Sequence, residues 1–217
     1  MTEFEAISNH IINGNEDKVA ELTQKAIDEG LEPNDIIQKG LINGMNQVSQ
    51  KFKDEDMFVP EVMISAQAMK TGIELVNPLL TKEETSLKGR VLLGTVAGDL
   101  HNIGKNLVRI MMESAGFEVI DLGTDVEPKE FAEAVKEYKP DILGMSALLT
   151  TTIQQMQKTM GALKKEELRD SVKIMVGGGP VTPDFAEEIN ADFWAQDAVA
   201  AKSAALELVE SSPPPKL

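Results

Sequence analysis

Residues 91–107 read VLLGTVAGDLHNIGKNL, and their order decides the fold. Val91 to Val96 form a short apolar run without polar alternation, the pattern of a strand buried on both faces. A loop holding Gly98 and Gly104 follows, and a helical stretch follows the loop. The same unit recurs downstream, in FEVIDL (Phe117 to Leu122), DILGMS (Asp141 to Ser146), KIMVGG (Lys173 to Gly178) and ADFWAQ (Ala191 to Gln196). Five strands alternating with five helices predict an open parallel sheet covered by helices. Such sheets bind ligands beyond the carboxyl ends of their strands, where the strand order reverses, so function is expected in the loops after the first, third and fourth strands.

Upstream the pattern changes. Up to about residue 80 the apolar residues recur at helical spacing, as in Val19, Leu22 and Ala26 and in Ile36, Ile37, Leu41, Met45, Val48 and Phe52. This predicts a short helix near Phe4 to Ile12 and a second over Glu16 to Glu29, capped by Asn15 and stopped by Gly30. A third runs from Pro33 to about Phe52, and a fourth from Pro60 to about Val76. Four helices with short connections predict an antiparallel bundle, and Gly40 and Gly44 fit a close contact between helices. Pro78 ends the last helix, and the polar, unperiodic TKEETSLKG (Thr81 to Gly89) reads as an interdomain linker. The expected domains are a helical one over 1–80 and a sheet domain over 90–211, with a disordered tail at 212–217.

The bulk composition narrows the function. The chain has 217 residues, 42% of them hydrophobic, enough to fill a core without crosslinks. It has no cysteine, which excludes disulfides, an iron–sulfur cluster and a thiolate nucleophile, so any redox chemistry belongs to a bound cofactor. With 36 acidic against 21 basic residues the net charge is -15, which repels nucleic-acid phosphates and anionic lipid; neither a nucleic acid nor a membrane is an expected partner. The first residues lack a basic segment followed by an apolar run, and no stretch approaches the roughly 20 apolar residues of a span, so a cytoplasmic location is expected.

The chemistry concentrates in the first loop, where Asp99, His101 and Gly104 stand in a D-x-H-x-x-G arrangement. It holds one of only two histidines in the chain. A neutral imidazole is a good transition-metal ligand, and a carboxylate two residues away can accept the proton of its other ring nitrogen, fixing the tautomer and raising the basicity. Gly98 and Gly104 allow a sharp turn and the close approach of a large ligand. The loops after strands three and four, SALLTTT (Ser146 to Thr152) and GGGP (Gly177 to Pro180), are rich in small and hydroxyl residues, as a buried ligand tail requires.

These segments, VAGDLHNIGKN (Val96 to Asn106), DLG (Asp121 to Gly123), SALLT (Ser146 to Thr150), Gly177 to Gly179 and MFVPE (Met57 to Glu61), resemble a known family in the same order. It comprises the cobalamin-binding module of cobalamin-dependent methionine synthase and, more closely in size and domain order, the corrinoid proteins of methanol, methylamine and betaine methyltransferase systems. The resemblance implies an α/β protein: an N-terminal four-helix bundle cap followed by a flavodoxin/Rossmann-like five-stranded parallel sheet that binds cobalamin or a related corrinoid. His101 would replace the cofactor's own base beneath the cobalt, and Asp99 would hydrogen-bond His101, with Thr152 at the position where the synthase module has a serine. Gly98, Asn102, Ile103, Gly104 and Leu148 would border the cofactor. Ser146 and Thr150 would contact its nucleotide tail, Gly177, Gly178 and Gly179 would line the slot for it, and Gln196 and Asp197 would hold its far end. Met57 and Phe58 would shield the methyl group, although core packing in the bundle explains either residue as well.

The implied function is that of a methyl carrier rather than a complete enzyme. A substrate:corrinoid methyltransferase would methylate Co(I) to give methyl-Co(III), a methylcorrinoid:acceptor methyltransferase would pass the methyl group to a thiol or folate, and a separate reductive activase would restore Co(I). Residues 81–89 would then serve as the hinge. Other readings fit less well. In a phosphate loop four residues would separate the glycines, whereas five separate Gly98 from Gly104, and Asn106 stands where a magnesium-binding Ser or Thr belongs. A flavodoxin-like or receiver-like signalling domain would share the fold but not explain His101 beside Asp99, and it would carry more strand-end acids than Asp99 and Asp121. A B12 sensor needs an output domain and a mutase needs a barrel, and the sequence offers a segment for neither.

Overall fold

In the computed structural model, which describes residues 2–80 and 88–210 apart from the Glu210 side chain, the first helix α1 (Glu3–Ile12) begins at a reciprocal cap. Thr2 accepts the Glu5 N–H, and the Glu5 carboxylate accepts the Thr2 N–H. Helix α2 (Glu16–Asp28) starts at Asn15, whose side chain accepts the Lys18 N–H, and the chain leaves it through Gly30 at φ +75°. The single helix expected from Pro33 is a rod with a wide turn inside it: α3 (Pro33–Asp35), a π-helical stretch Ile36–Ile42, and α4 (Asn43–Lys53) run on with helical dihedrals at both joints. Helix α5 (Val59–Val76) has Pro60 in its first turn, and the Glu61 carboxylate takes the Phe58 N–H at 2.8 Å.

Helices α1 and α2 run antiparallel, as the 3.0 Å ion pair between Lys25 near the end of α2 and Glu3 at the start of α1 shows. A close approach also joins α1 and the rod, which are not consecutive and run the same way. A Cβ added at Gly40 would lie 3.3 Å from Ile7 Cγ2, and one at Gly44 would lie 2.8 Å from Ile11 Cβ and 3.0 Å from Ser8 Cα. The π turn shifts carbonyls out of their usual bonding, and Ser8 Oγ donates to Gly40 O at 2.7 Å across this seam. Ile7, Ile11, Val19, Ile36, Leu41, Met45, Val48 and Val62 are buried around it, each contributing on the order of 1.5–3 kcal/mol by leaving water.

The second part of the chain forms a five-stranded parallel sheet, β1 (Arg90–Thr95), β2 (Glu118–Asp121), β3 (Ile142–Ser146), β4 (Lys173–Gly177) and β5 (Phe193–Ala195), in the order β2-β1-β3-β4-β5. Helices α6 (Ile103–Ser114), α7 (Pro128–Tyr138), α8 (Gln154–Lys165), α9 (Pro183–Glu188) and α10 (Ala198–Glu210) connect and flank the strands. Alternate strand residues feed two cores. Leu92, Leu143, Met145, Ile174 and Val176 pack with Phe131 of α7 and Met156 and Leu163 of α8. Val91, Leu93, Ile142 and Met175 pack with Met112 of α6 and Ala201 and Ala205 of α10. Both faces are covered, which is why the strands read as unbroken apolar runs.

The strand order turns at β1, with β2 on one side and β3 on the other, so the binding crevice of this topology opens at the carboxyl ends of β1 and β3. The chain divides into two compact units, Met1–Ser86 and Leu87–Leu217. Most of the expected linker, 81–87, and the expected tail at 212–217 lie outside the described residues. Among the described residues no helix is long and apolar enough to cross a membrane.

Candidate functional site

The loop leaving β1 turns at Gly98, φ +77°, a conformation that glycine adopts without steric cost. The turn carries Asp99 inward, where it is fully buried, and His101 outward, with 51% of its side chain exposed. Thr95, the last residue of β1, donates its hydroxyl to His101 O at 2.9 Å and so ties the loop back to the strand that launched it.

The Asp99 carboxylate organises everything near it. Its Oδ1 receives the His101 N–H at 3.0 Å and meets His101 Nδ1 at 2.7 Å. Its Oδ2 receives the Leu148 N–H at 2.7 Å, the Leu149 N–H at 3.2 Å and the Thr152 hydroxyl at 2.9 Å. Burial pushes the Asp99 pKa up, but the hydrogen bonds from Leu148, His101 and Thr152 outweigh it and hold the carboxyl well below the usual carboxylate range. An ionised carboxylate only accepts, so the proton between the two side chains belongs to Nδ1, and a neutral His101 ring carries its lone pair on the outward Nε2. The single Thr152 proton lies between Asp99 Oδ2 and Leu149 O, each 2.9 Å away.

The topology thus brings Gly98, Asp99, His101, Leu148 and Thr152 together at the turning point of the sheet. Asn102 takes the cap position of α6 without a side-chain cap bond, and Ile103 and Gly104 form the exposed first turn of that helix. Ser146 ends β3, level with Thr95 on one neighbour and Gly177 on the other, and Thr150 is exposed in the loop beyond. Gly177, Gly178 and Gly179 follow at the end of β4. Gln196 is exposed after β5, and the Asp197 carboxylate accepts the Ala200 N–H at 2.8 Å, the work of a helix cap. Met57 and Phe58 belong to the helical unit, where Met57 is buried and Phe58 is 67% exposed.

Three features went unread in the sequence. Leu100, Ile103, Leu148 and Leu149 form an exposed apolar group on the two loops that flank His101, although only Ile103 and Leu148 were expected to border a ligand. Lys105, buried in the first turn of α6, pairs with Asp121 at the end of β2. Asp125, in the loop after β2, accepts the Gly98 N–H at 2.6 Å. The loop leucines, apolar where loops are ordinarily polar, were the available signal; Asp121 stood in the DLG signature without its Lys105 partner, and Asp125 gave no signal.

The residues present suit a large, largely apolar ring around a metal. Among the described residues no group of three or more His, Cys, Asp or Glu converges as a metal site, so a bare ion has no cage here. A metal that brings its own ring ligands needs one more, and Nε2 of His101 is available. The glycines divide into two kinds. A Cβ at Gly178, φ +122°, would fall 1.9 Å from Ala147 O, and one at Gly177 would fall 2.9 Å from Ala195 O, so these two let the strand ends close on one another. A Cβ at Gly104 would meet nothing within 4 Å, which leaves open space three residues beyond His101.

A family described as B12 binding domain matches residues 89–203, and a second family of the same description matches residues 3–77. Fold and site define a B12-binding protein. The chain is 46% identical over 201 residues to a corrinoid protein of Desulfitobacterium hafniense (strain Y51), covering 91% of this chain and 93% of that one. It is 43% identical over 205 residues to trimethylamine corrinoid protein 2 of Methanosarcina mazei, covering 92% and 94%. Among solved structures it matches the methanol:cobalamin methyltransferase complex MtaBC from Methanosarcina barkeri with a TM-score of 0.87 at 32% identity, covering 97% of this chain and 80% of that one. A cobalamin-binding protein from Desulfitobacterium hafniense DCB-2 matches with a TM-score of 0.79 at 30% identity, covering 96% and 99%. The chain belongs to the corrinoid protein family of methyltransferase systems, and its cofactor is a cobalamin or related corrinoid.

Proposed function

We propose that this chain is a methyl carrier that receives its methyl group from a substrate:corrinoid methyltransferase and delivers it to a methylcorrinoid:acceptor methyltransferase acting on a thiol or folate, with a separate reductive activase to rescue oxidised cofactor. A bound corrinoid supplies a cobalt that is a strong nucleophile as Co(I) and releases a methyl group from the methylated Co(III) state. The chain's own residues bind, orient and shield.

One observation carries the reading: Asp99 Oδ1 fixes the Nδ1 proton of His101 and leaves Nε2 outward on a half-exposed ring. His101 is then the lower ligand, Asp99 the group that orients it, and Thr152 the hydroxyl behind Asp99. Leu100, Ile103, Leu148 and Leu149 would offer apolar contact to the ring, Asn102 and Gly104 would allow its approach, Ser146 and Thr150 would serve the nucleotide tail, and Gly177 to Gly179 would line its slot, with Gln196 at the far end. Of the two helical-unit residues, Phe58 is exposed and Met57 is buried, so shielding of the methyl group would fall to Phe58.

The test reduces the cobalamin-loaded protein to Co(I) and adds a methylamine or methanol together with a methyltransferase specific for that donor. The expected result is loss of the Co(I) absorption only when donor and methyltransferase are both present. Co(I) absorption that persists with every donor and methyltransferase pair of the family contradicts the carrier reading.

A further inference from the structure

We propose that Asp125, in the loop between β2 and α7, is a positioning residue for His101. The proposal deepens the reading of His101 as cobalt ligand and rests on it. Asp125 is exposed and sits at φ +58°, a left-handed backbone conformation that Asp tolerates better than most residues. It is held there from both ends. Its Oδ1 accepts the Gly98 N–H at 2.6 Å, and its own N–H donates to Asp99 O at 3.0 Å. The two bonds bracket the Gly98–Asp99 segment, the turn from which His101 projects.

The arrangement is a clamp with two jaws. On the β3 side, Leu148, Leu149 and Thr152 hold the Asp99 carboxylate. On the β2 side, Asp125 holds the backbone on which that carboxylate is mounted. The β2 jaw is anchored in turn: Asp121 pairs with the buried Lys105 and accepts the Gly123 N–H at 2.9 Å. Thr95 donates its N–H to Gly123 O, and Val126 donates its N–H to Thr95 O, both at 3.0 Å. Asp125 therefore reaches Gly98 from a fixed edge of the sheet. Gly98, with no side chain, has the least restricted dihedrals in the loop; the Asp99 N–H to Val96 O bond at 3.1 Å closes the turn, and the Asp125 bond holds the peptide that enters it. Without that bond the Asp99–His101 pair remains, held from the β3 side, on a turn that is less tightly fixed.

The test uses the cobalamin-loaded protein with two variants. Asp125→Gly removes the carboxylate at an exposed position where glycine meets no steric cost, so folding is retained, which the unfolding midpoint of the apoprotein checks. Asp125→Asn keeps an oxygen acceptor and tolerance of the left-handed conformation. Paramagnetic resonance of the Co(II) state, compared with protein whose histidines carry the heavy nitrogen isotope, reports a histidine nitrogen by its splitting and distinguishes it from the cofactor's own base, and the Co(II)/Co(I) midpoint potential reports ligation strength, because the histidine bond is present in Co(II) and lost in Co(I). Loss of a charge-assisted hydrogen bond should weaken ligation about five- to tenfold in Asp125→Gly, raising the potential by about 40–60 mV at 59 mV per tenfold, while Asp125→Asn stays near the wild type.

A potential unchanged in Asp125→Gly, with nitrogen splitting present in the wild type, overturns the positioning role alone. So does an equal shift in Asp125→Asn, which would assign the effect to charge rather than to the hydrogen bond. A wild type without nitrogen splitting overturns the ligation reading itself and takes the proposal with it.

Discussion

Thr152 Oγ1 lies 2.9 Å from Oδ2 of Asp99, the carboxylate whose other oxygen holds the His101 ring. The two residues are far apart in sequence and meet because β1 and β3 are neighbours in the sheet. Replacing the hydroxyl by a methyl of the same shape leaves Oδ2 with two backbone donors. Thr152→Val should therefore destabilise the apoprotein by about 1–2 kcal/mol, while Thr152→Ser, which keeps the hydroxyl and drops one methyl, should cost about 0.8 kcal/mol or less. Urea unfolding of the two variants checks the order; a Thr152→Val variant as stable as the wild type would mean the hydroxyl contributes nothing beyond packing.

Asp99 should make stability pH-dependent in a defined direction. Its carboxyl in the folded protein titrates below the value of about 3.9 expected in the unfolded chain, so the unfolded chain binds the proton more readily. The stabilisation is fully present above that value and is lost as pH falls below it, through the folded carboxyl's own range. Asp99→Asn should be less stable than the wild type by about 2 kcal/mol at neutral pH, since buried donors then face an amide, and the gap should narrow on acidification below about pH 4. Urea midpoints of both proteins from about pH 3 to 7 read the plateau and the onset of the loss. A gap constant across this range would remove Asp99 as its source.

The two kinds of glycine should respond oppositely to alanine. Gly104→Ala adds a methyl to open space in the first turn of α6, so the apoprotein should be as stable as the wild type or up to about 1 kcal/mol more so, yet retain less corrinoid. Gly178→Ala forces a Cβ onto Ala147 O at a positive φ and should destabilise the apoprotein by about 3 kcal/mol. Unfolding of the apoproteins and corrinoid retained after desalting separate the two effects. Unchanged corrinoid retention in Gly104→Ala would show that the open space is not used by the ligand.

Much of this architecture was legible in the sequence, because its signals are local. Unbroken apolar runs gave the five strands to within a residue or two, Asn15 and Pro33 marked helix starts, and Gly40 with Gly44 marked a close helix contact without saying that its partner is α1. The D-x-H spacing gave the Asp99–His101 pair, since residues two apart on a tight turn meet without help from the rest of the fold. The π turn at Ile36–Ile42 was not legible: its apolar residues keep a helical rhythm, and what stabilises it is a serine on another helix. Nor were Lys105–Asp121 and Asp125–Gly98, because both depend on β2 lying beside β1, an order that strand composition does not encode. Asp125 carries no mark at all; its left-handed backbone follows from the bonds it makes.

The most direct test of His101 as the cobalt ligand is the visible absorption spectrum of the protein reconstituted with hydroxocobalamin and desalted, set beside His101→Ala treated in the same way. The expected result is corrinoid absorption retained by the wild type, with the bands sensitive to the axial ligand altered in the variant. Identical spectra from the two proteins would contradict histidine ligation, and a wild type that emerges colourless after competent refolding would contradict the site as a whole.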